Sequence, residues 1–138
     1  AALWGGPFCL KGIMSVADAR RAADIGATAI MVSNHGGRQL DGVPTALEVL
    51  PLFAKILKGK TEIFVDGGIR RGTDIIKAIL LGANGVLIGK PMVWALAVGG
   101  EAGVMKMMQI LEEELRLGMC LLGCSSLKNL DDRYLFNR

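Results

Sequence analysis

The sequence predicts an α/β fold in which four parallel strand–helix units curve into half of a (β/α)₈ TIM barrel, with further helices at the C-terminal end. Three observations support this prediction. Short apolar runs alternate with helical segments, one strand–helix–strand unit recurs along the chain, and the length is 138 residues. A complete barrel needs about 250 residues. An open, doubly wound sheet is the alternative, because it is built from the same units.

Four short apolar runs, each followed by turn or polar residues, predict the strands. These runs are residues 8–10, 29–32, 62–65 and 85–88. The segments between them have helical periodicity, and capping residues place the helix ends. Hydroxyl caps are predicted at Ser15, Thr45 and Thr73, and terminating glycines at Gly26 and Gly82. A longer helix is predicted over residues 101–117.

The chain also repeats one strand–turn–helix–turn–strand unit. Shifting the sequence by 56 residues superimposes seven identical residues within the 27 positions from 8 to 34, more than composition alone produces. The matched pairs include Gly12 with Gly68 and Asp18 with Asp74. Because right-handed crossovers stack parallel strands in chain order around an axis, such units are typical of a barrel wall.

Composition and charge argue against several classes of function. The net charge is only +3, without a basic cluster interleaved with aromatic residues, so we expect no nucleic-acid partner. The longest apolar run, residues 78–89, is short and contains Asn84, which predicts no transmembrane segment. Three cysteines and no leader pattern predict reduced thiols and a cytoplasmic location. A single histidine predicts no metal site.

Polar and glycine residues follow the end of each predicted strand. They are Lys11 after the first strand, Ser33, His35 and Arg38 after the second, Asp66, Gly67, Gly68, Ile69 and Arg70 after the third, and Gly89 and Lys90 after the fourth. The C-terminal ends of parallel strands in (β/α) proteins face one side and form the active site. We therefore expect all four groups to meet at one mouth.

The glycine-rich turn after the third strand has the composition of a phosphate site. Glycines let backbone amides approach an anion closely, and the N-terminus of the following helix adds a positive dipole. The loops after the last two barrel strands are the usual phosphate site of this architecture, which adds Gly89 and Lys90 to the candidate site. A tight turn with solvated arginines is the alternative.

The loop after the second strand carries residue types suited to proton transfer and carboxylate binding. Histidine exchanges a proton near neutral pH, so His35 is the candidate acid–base residue. Arg38, three residues on, offers a planar fork that matches a carboxylate. Lys11 would hold a cation against an electron-rich ring. A loop histidine that caps backbone groups and a lysine that extends to solvent are the alternatives.

The run of residues 33–41, Ser-Asn-His-Gly-Gly-Arg-Gln-Leu-Asp, resembles the signature of the FMN-dependent 2-hydroxy-acid dehydrogenase family. That family includes glycolate oxidase, lactate oxidase, flavin-type L-lactate dehydrogenase and mandelate dehydrogenase. The resemblance extends over residues 4–127, with the motifs at residues 11–13, 66–72, 89–91, 99–104 and 121–124 in the family's order. It implies that residues 1–138 form one FMN-binding catalytic domain, the C-terminal half of a TIM barrel.

The resemblance implies FMN as cofactor and a small 2-hydroxy acid as substrate, with L-lactate as the first choice. His35 is similar to the catalytic base that also contacts substrate, Arg38 to the carboxylate clamp, and Lys11 to the lysine beside the flavin N1 and O2 edge. Ser33 resembles a flavin contact. The ribityl and phosphate pocket would be formed by Asp66, Gly67, Gly68, Ile69, Arg70, Gly89 and Lys90.

The resemblance further implies an electron acceptor, which would be oxygen, a quinone or a cytochrome. The unpaired edge strands of half a barrel predict a homo-oligomer. It implies a cytoplasmic protein, or one peripheral to the inner membrane at full length. Two departures stand out: Lys90 replaces the family's usual arginine, and the family's N-terminal half is absent. A catalytically silent half-barrel that needs a complementary half is therefore an alternative. So is another phosphate- or flavin-binding barrel, of the isopentenyl-diphosphate isomerase or inosinate dehydrogenase type.

Overall fold

The computed structural model describes residues 3–136 and contains a four-stranded parallel sheet with helices between its strands. The strands are β1 (Cys9–Ile13), β2 (Ala29–Val32), β3 (Glu62–Asp66) and β4 (Gly85–Leu87). The helices are α1 (Val16–Asp24), α2 (Ala46–Leu57), α3 (Gly72–Leu80) and α4 (Lys90–Leu121). The strand order is β1-β2-β3-β4, without the reversal of a doubly wound sheet. The predicted succession of parallel strand–helix units is confirmed.

The sheet differs from the prediction mainly at the ends of its strands. β1 continues to Ile13, so Lys11 lies inside the strand rather than after it. The pairing of β1 with β2 shifts register between Lys11 and Ile13. Gly12 has a φ of 87° there, a conformation that glycine adopts without steric penalty. β3 likewise includes Asp66 as its last residue.

Two of the three predicted hydroxyl caps are present. Ser15 accepts a hydrogen bond from the Asp18 amide, and Thr45 forms a reciprocal capping box with Glu48. The prediction of a cap at Thr73 was wrong, because α3 begins at Gly72 and Thr73 lies inside the helix. Here the Asp74 carboxylate accepts from the backbone amides that precede the helix.

Gly26 and Gly82 end α1 and α3 with the same hydrogen-bond pattern, as the repeat predicts. Both have positive φ angles, 81° and 103°. The amides that follow them reach back five residues, Ala27 to the Ala22 carbonyl and Ala83 to the Ala78 carbonyl. This is the Schellman arrangement, which satisfies carbonyls left open at a helix end.

The main core lies between the sheet and helices α1 and α2. All four residues of β2 are buried, and Leu50, Phe53 and Leu57 of α2 pack on the sheet with at most 1% exposure. A second cluster joins α3 to α4 and the C-terminal segment around Leu130. This packing holds the parallel strands in register, so that their C-terminal ends lie side by side.

Helix α4 contains a kink that the sequence analysis did not place. Gly99 and Gly100 have non-helical backbone angles, so residues 90–98 form a helical segment of their own before the predicted helix. Pro91 lies in the first turn, where its missing amide hydrogen costs no helical bond. Within residues 3–136, no helix is long and apolar enough to cross a membrane.

Candidate active site

A cavity of about 350 Å³ opens at the C-terminal ends of the strands. Among the predicted site residues, those that line it are Lys11, His35, Arg38, Asp66, Gly67, Gly68, Ile69, Arg70, Gly89 and Lys90. Ser33 does not line it; this side chain is 1% exposed and is hydrogen-bonded to Lys11. The four polar groups that follow separate strands thus meet at one mouth.

A hydrogen-bond network joins three strands at the base of the cavity. The Lys11 ammonium donates to Ser33 Oγ at 2.8 Å and to Asp66 Oδ2 at 2.6 Å. Ser33 Oγ also accepts from the His35 amide at 3.1 Å. The second carboxylate oxygen, Asp66 Oδ1, is buried and has no donor among the described residues. A buried acceptor without a donor is costly, so this oxygen calls for a hydrogen-bond donor from outside the described residues.

His35 adopts a backbone conformation that is rare for a residue with a side chain. Its φ is 55°, the only positive value outside glycine in the described part of the chain. Such a conformation costs about 1–3 kcal/mol and is typical of functional sites. The Asn34 carboxamide oxygen holds the turn by accepting from the Gly36 amide at 3.0 Å. The imidazole lies beside Gly12, where a Cβ would come within 3.5 Å of His35 Cε1.

The glycine-rich loop between β3 and α3 is held by carboxylates of the chain itself. Asp74 Oδ2 accepts from the Arg70 and Arg71 amides, both at 3.0 Å. Glu114 of α4 accepts from the Gly72 amide at 2.8 Å. Glu114 therefore occupies the Gly72 amide at the α3 N-terminus, and the use of the glycine-rich turn by a phosphate stays a prediction. Gly67 and Gly68, with φ of 86° and 80°, remain open to the cavity.

The opposite wall of the cavity begins with Gly89 and the first turn of α4. Gly89 is the N-cap of α4, so the partial positive charge of that helix end faces the cavity. The Lys90 ammonium reaches back over the loop after β2, since a Cβ on Gly36 would lie 3.7 Å from it. The Arg70 guanidinium lies 5.8 Å from the centre of the Trp94 ring, within cation–π range.

Four apolar lining residues were missed by the sequence analysis. They are Leu87, Pro91, Val93 and Trp94. Leu87 ends β4, and the other three belong to the first turns of α4. Pro91, two residues after Gly89, was the available signal, because proline favours the first turn of a helix and would have placed Val93 and Trp94 at the mouth.

A larger groove of about 830 Å³ lies at the other end of the sheet, beside the N-terminal residues of β3 and the C-terminal segment. It contains none of the predicted site residues and no buried polar atom without a partner among the described residues. Size alone does not identify an active site, and every predicted site residue except Ser33 lines the smaller cavity.

Comparison with known proteins agrees with this geometry. Residues 1–137 match the model of the family described as FMN-dependent dehydrogenase. The chain is 54% identical over 129 residues to L-lactate oxidase of Nostoc sp., covering 94% of this chain and 35% of the relative. It is 51% identical over 125 residues to human 2-hydroxyacid oxidase 1, covering 91% and 34%.

A solved structure shares the fold. The chain superimposes on a mandelate oxidase crystallised with benzoyl-formic acid, with a TM-score of 0.87 and 51% sequence identity, over 90% of this chain and 37% of that one. The chain belongs to the FMN-dependent dehydrogenase family and is part of a (β/α)₈ barrel. It spans about a third of the length of the curated relatives that it matches.

The residues of the cavity fit FMN, on three observations. The unpaired Asp66 Oδ1 would accept from a hydroxyl of the ribityl chain. Gly68 has no atom within 4 Å of the place where a side chain would begin, which leaves room for the cofactor against the backbone. Arg70 and Lys90 line the cavity and would supply positive charge for its phosphate, whereas Leu87 and Val93 would supply an apolar wall.

Proposed function

We propose that this chain supplies the flavin and substrate site of an enzyme that oxidises an L-2-hydroxy acid to the 2-oxo acid. The observation that carries the proposal is the meeting of His35 and Arg38 with the Lys11–Asp66 pair in one cavity. A proton acceptor, a carboxylate partner and a hydroxyl acceptor are the groups that this substrate and this cofactor require. The names of the relatives, which include lactate, glycolate and 4-hydroxymandelate oxidases, support the same reaction class.

We assign the cofactor to the long axis of the cavity. Lys11 would lie at the flavin ring, supported from behind by the buried Ser33 hydroxyl. Asp66, Gly67 and Gly68 would hold the ribityl chain. Ile69 and Arg70, with Gly89 and Lys90, would enclose the phosphate. FMN, when bound, supplies the two-electron acceptor for the oxidation.

His35 and Arg38 act on the substrate in this proposal. Arg38 holds the substrate carboxylate by its guanidinium fork. His35 removes a proton from the substrate, and the loop that presents it is fixed by Ser33 and Asn34. The Lys11 ammonium places positive charge where negative charge develops on the cofactor side.

L-lactate is the substrate that we propose first. The segment before β1 resembles that of bacterial lactate dehydrogenases, and the Trp4 indole fixes it by donating to the Pro7 carbonyl at 2.9 Å. The L-lactate oxidase of Nostoc sp. is among the most similar relatives. Electrons would pass on to oxygen, a quinone or a cytochrome.

A second candidate is a silent half-barrel that needs a complementary half. It is favoured by the two open strand edges at β1 and β4. Large apolar side chains beside the cavity, such as Val93 and Trp94, are also more than half exposed. The two candidates differ in whether the chain can support catalysis once the barrel is complete.

A hybrid barrel tests the proposal. Residues 1–138 replace the matching segment of the Nostoc L-lactate oxidase, and the purified hybrid is examined for bound flavin and for anaerobic bleaching by L-lactate, glycolate and mandelate. We expect a yellow protein that one of these acids bleaches. A folded hybrid that is colourless, or yellow and not bleached by any of them, would contradict the proposal and favour the silent half-barrel.

A further inference from the structure

A carboxylate from α4 reaches across to the loop that follows β3. Glu114 Oε2 accepts from the Gly72 amide at 2.8 Å and from Arg71 Nε at 3.0 Å, while Oε1 lies 2.7 Å from an Arg71 terminal nitrogen. The Glu114 side chain is 24% exposed, against 69% for Arg71. The pair is therefore a bidentate arginine–carboxylate contact with an added backbone hydrogen bond. Bidentate pairs are stronger than ion pairs with a single contact.

The backbone at this contact leaves no room for a side chain. Gly72 is buried, and a Cβ there would overlap the backbone nitrogen of Leu115 and lie 2.5 Å from the carbonyl carbon of Glu114. Helix α4 thus lies directly on the first turn of α3. Such close packing holds the end of the loop at a fixed distance from α4.

The internal repeat allows the start of α3 to be compared with the start of α1. Residue 15 of the first unit corresponds to residue 71 of the second. Ser15 caps α1 locally, because its hydroxyl accepts from the Asp18 amide. Arg71 makes no side-chain cap for α3. Two carboxylates serve the start of α3 instead: Asp74 accepts from the Arg70 and Arg71 amides, and the distant Glu114 accepts from the Gly72 amide.

Glu114 also separates the roles of two adjacent arginines. Arg71 is turned to Glu114, whereas Arg70 lines the cavity. Neither Arg70 nor Lys90 forms an ion pair within residues 3–136. Both cations at this end of the cavity therefore remain available to an anion from outside.

We propose that Glu114 is a positioning residue for the phosphate end of the cavity. Its contact with Arg71 and Gly72 is a latch that holds residues 70–72 against α4, so that Arg70 faces inward. The inference rests on the proposed function for the identity of the ligand. Glu114 does not touch the cavity; it acts through the loop. The latch is therefore expected to affect the phosphate of FMN and not the flavin ring.

The test compares Glu114→Gln with the matched control Glu113→Gln, a neighbouring exposed glutamate. Amide hydrogen exchange is measured on the hybrid barrel, with β2 as internal reference. We expect exchange at Gly72 to accelerate about tenfold or more in Glu114→Gln, since the acceptor of the Gly72 amide loses its charge and its ion pair with Arg71. Exchange in β2 and in the control should not change. Unchanged exchange at Gly72 would overturn the latch.

Binding of FMN and of riboflavin, which lacks the phosphate, gives the second readout. Glu114→Gln should raise the dissociation constant for FMN about tenfold, whereas the dissociation constant for riboflavin should change less than about twofold. An equal loss for both flavins would overturn the positioning role, because it would show a general loss of structure. Arg71→Gln, which keeps the bond from Gly72, should give a smaller loss for FMN; a loss confined to riboflavin would also contradict the proposal.

Failure of the proposed function would be visible separately. If the wild-type chain and the wild-type hybrid bind neither flavin, the assignment of the cavity to FMN fails. The exchange at Gly72 still decides whether Glu114 holds the loop.

Discussion

The ammonium of Lys11 lies 2.6 Å from Oδ2 of Asp66 and joins the middle of β1 to the end of β3, two strands that are not neighbours in the sheet. Ser33, just beyond the end of the intervening strand β2, accepts from the same ammonium. Three consecutive strands are thereby tied together before any ligand binds. The second oxygen of Asp66 is left without a donor, which is why we assign this pair to the cofactor side of the cavity.

The buried Ser33 hydroxyl should contribute to stability. Ser33→Ala removes the acceptor of both the Lys11 ammonium and the His35 amide. We expect the free energy of unfolding to fall by about 1 kcal/mol, measured by urea denaturation, because two part-buried hydrogen bonds are lost. Ser125→Ala, at an exposed serine outside the site, is the matched control and should have little effect. Equal stability of the two variants would show that Ser33 has no structural role.

Lys90→Arg should tighten the retention of FMN in the hybrid barrel. A guanidinium can engage two phosphate oxygens, whereas an ammonium engages them as a point charge. Lys90 lines the cavity at the first turn of α4. The dissociation constant measured by flavin fluorescence should fall about threefold to tenfold. Unchanged or faster loss of flavin on dialysis would mean that Lys90 does not contact the phosphate or already matches it.

Acid should weaken the chain through Glu48 and Glu114. The pKa of the Glu114 carboxyl lies below its ordinary value because the Gly72 amide donates to it, with Arg71 adding to the effect and Asp74 opposing it. The pKa of Glu48 is lowered by the Thr45 amide and then by the Thr45 hydroxyl. Such groups stabilise the fold fully above the ordinary glutamate pKa and lose this contribution as pH falls through the lower, folded value.

The measurement is thermal unfolding as a function of pH. Stability of the wild-type chain should decline below the ordinary glutamate pKa. Glu48→Gln and Glu114→Gln should each show a shallower decline, and Glu113→Gln should follow the wild type. Parallel curves for all four proteins would show that neither carboxylate is linked to folding.

The open sheet edges predict association of the isolated chain. β1 and β4 each pair on one side only, and unpaired strand edges favour pairing with another chain. Large apolar side chains of α4 are also exposed, Val98 at 92% and Leu121 at 81%. We expect light scattering to show dimers or larger species at micromolar concentration. A compact monomer with a sharp thermal transition would contradict this prediction.

Much of the fold could be predicted because its signals are local. The apolar runs, the caps at Ser15 and Thr45 and the glycines at 26 and 82 each depend on a few neighbouring residues. The convergence of the polar groups followed from one rule, that the C-terminal ends of parallel strands face the same side.

The parts that were missed depend on contacts distant in sequence. Thr73 is a residue type that commonly caps helices, but the backbone amides at the start of α3 donate to the carboxylates of Asp74 and Glu114 instead. Glu114 lies 42 residues away from Gly72, and local patterns do not show that the two meet. Trp94 was missed for a related reason, because its place at the mouth depends on where α4 begins.

The rate of flavin reduction in the His35→Ala hybrid tests the central claim most directly. Wild-type and variant hybrids, both loaded with FMN, are mixed anaerobically with the acid that bleaches the wild type, and the fall in flavin absorbance is followed. Removal of a general base should slow reduction at least about 100-fold while FMN stays bound. Reduction at close to the wild-type rate would show that His35 is not the proton acceptor and would contradict the account of the site.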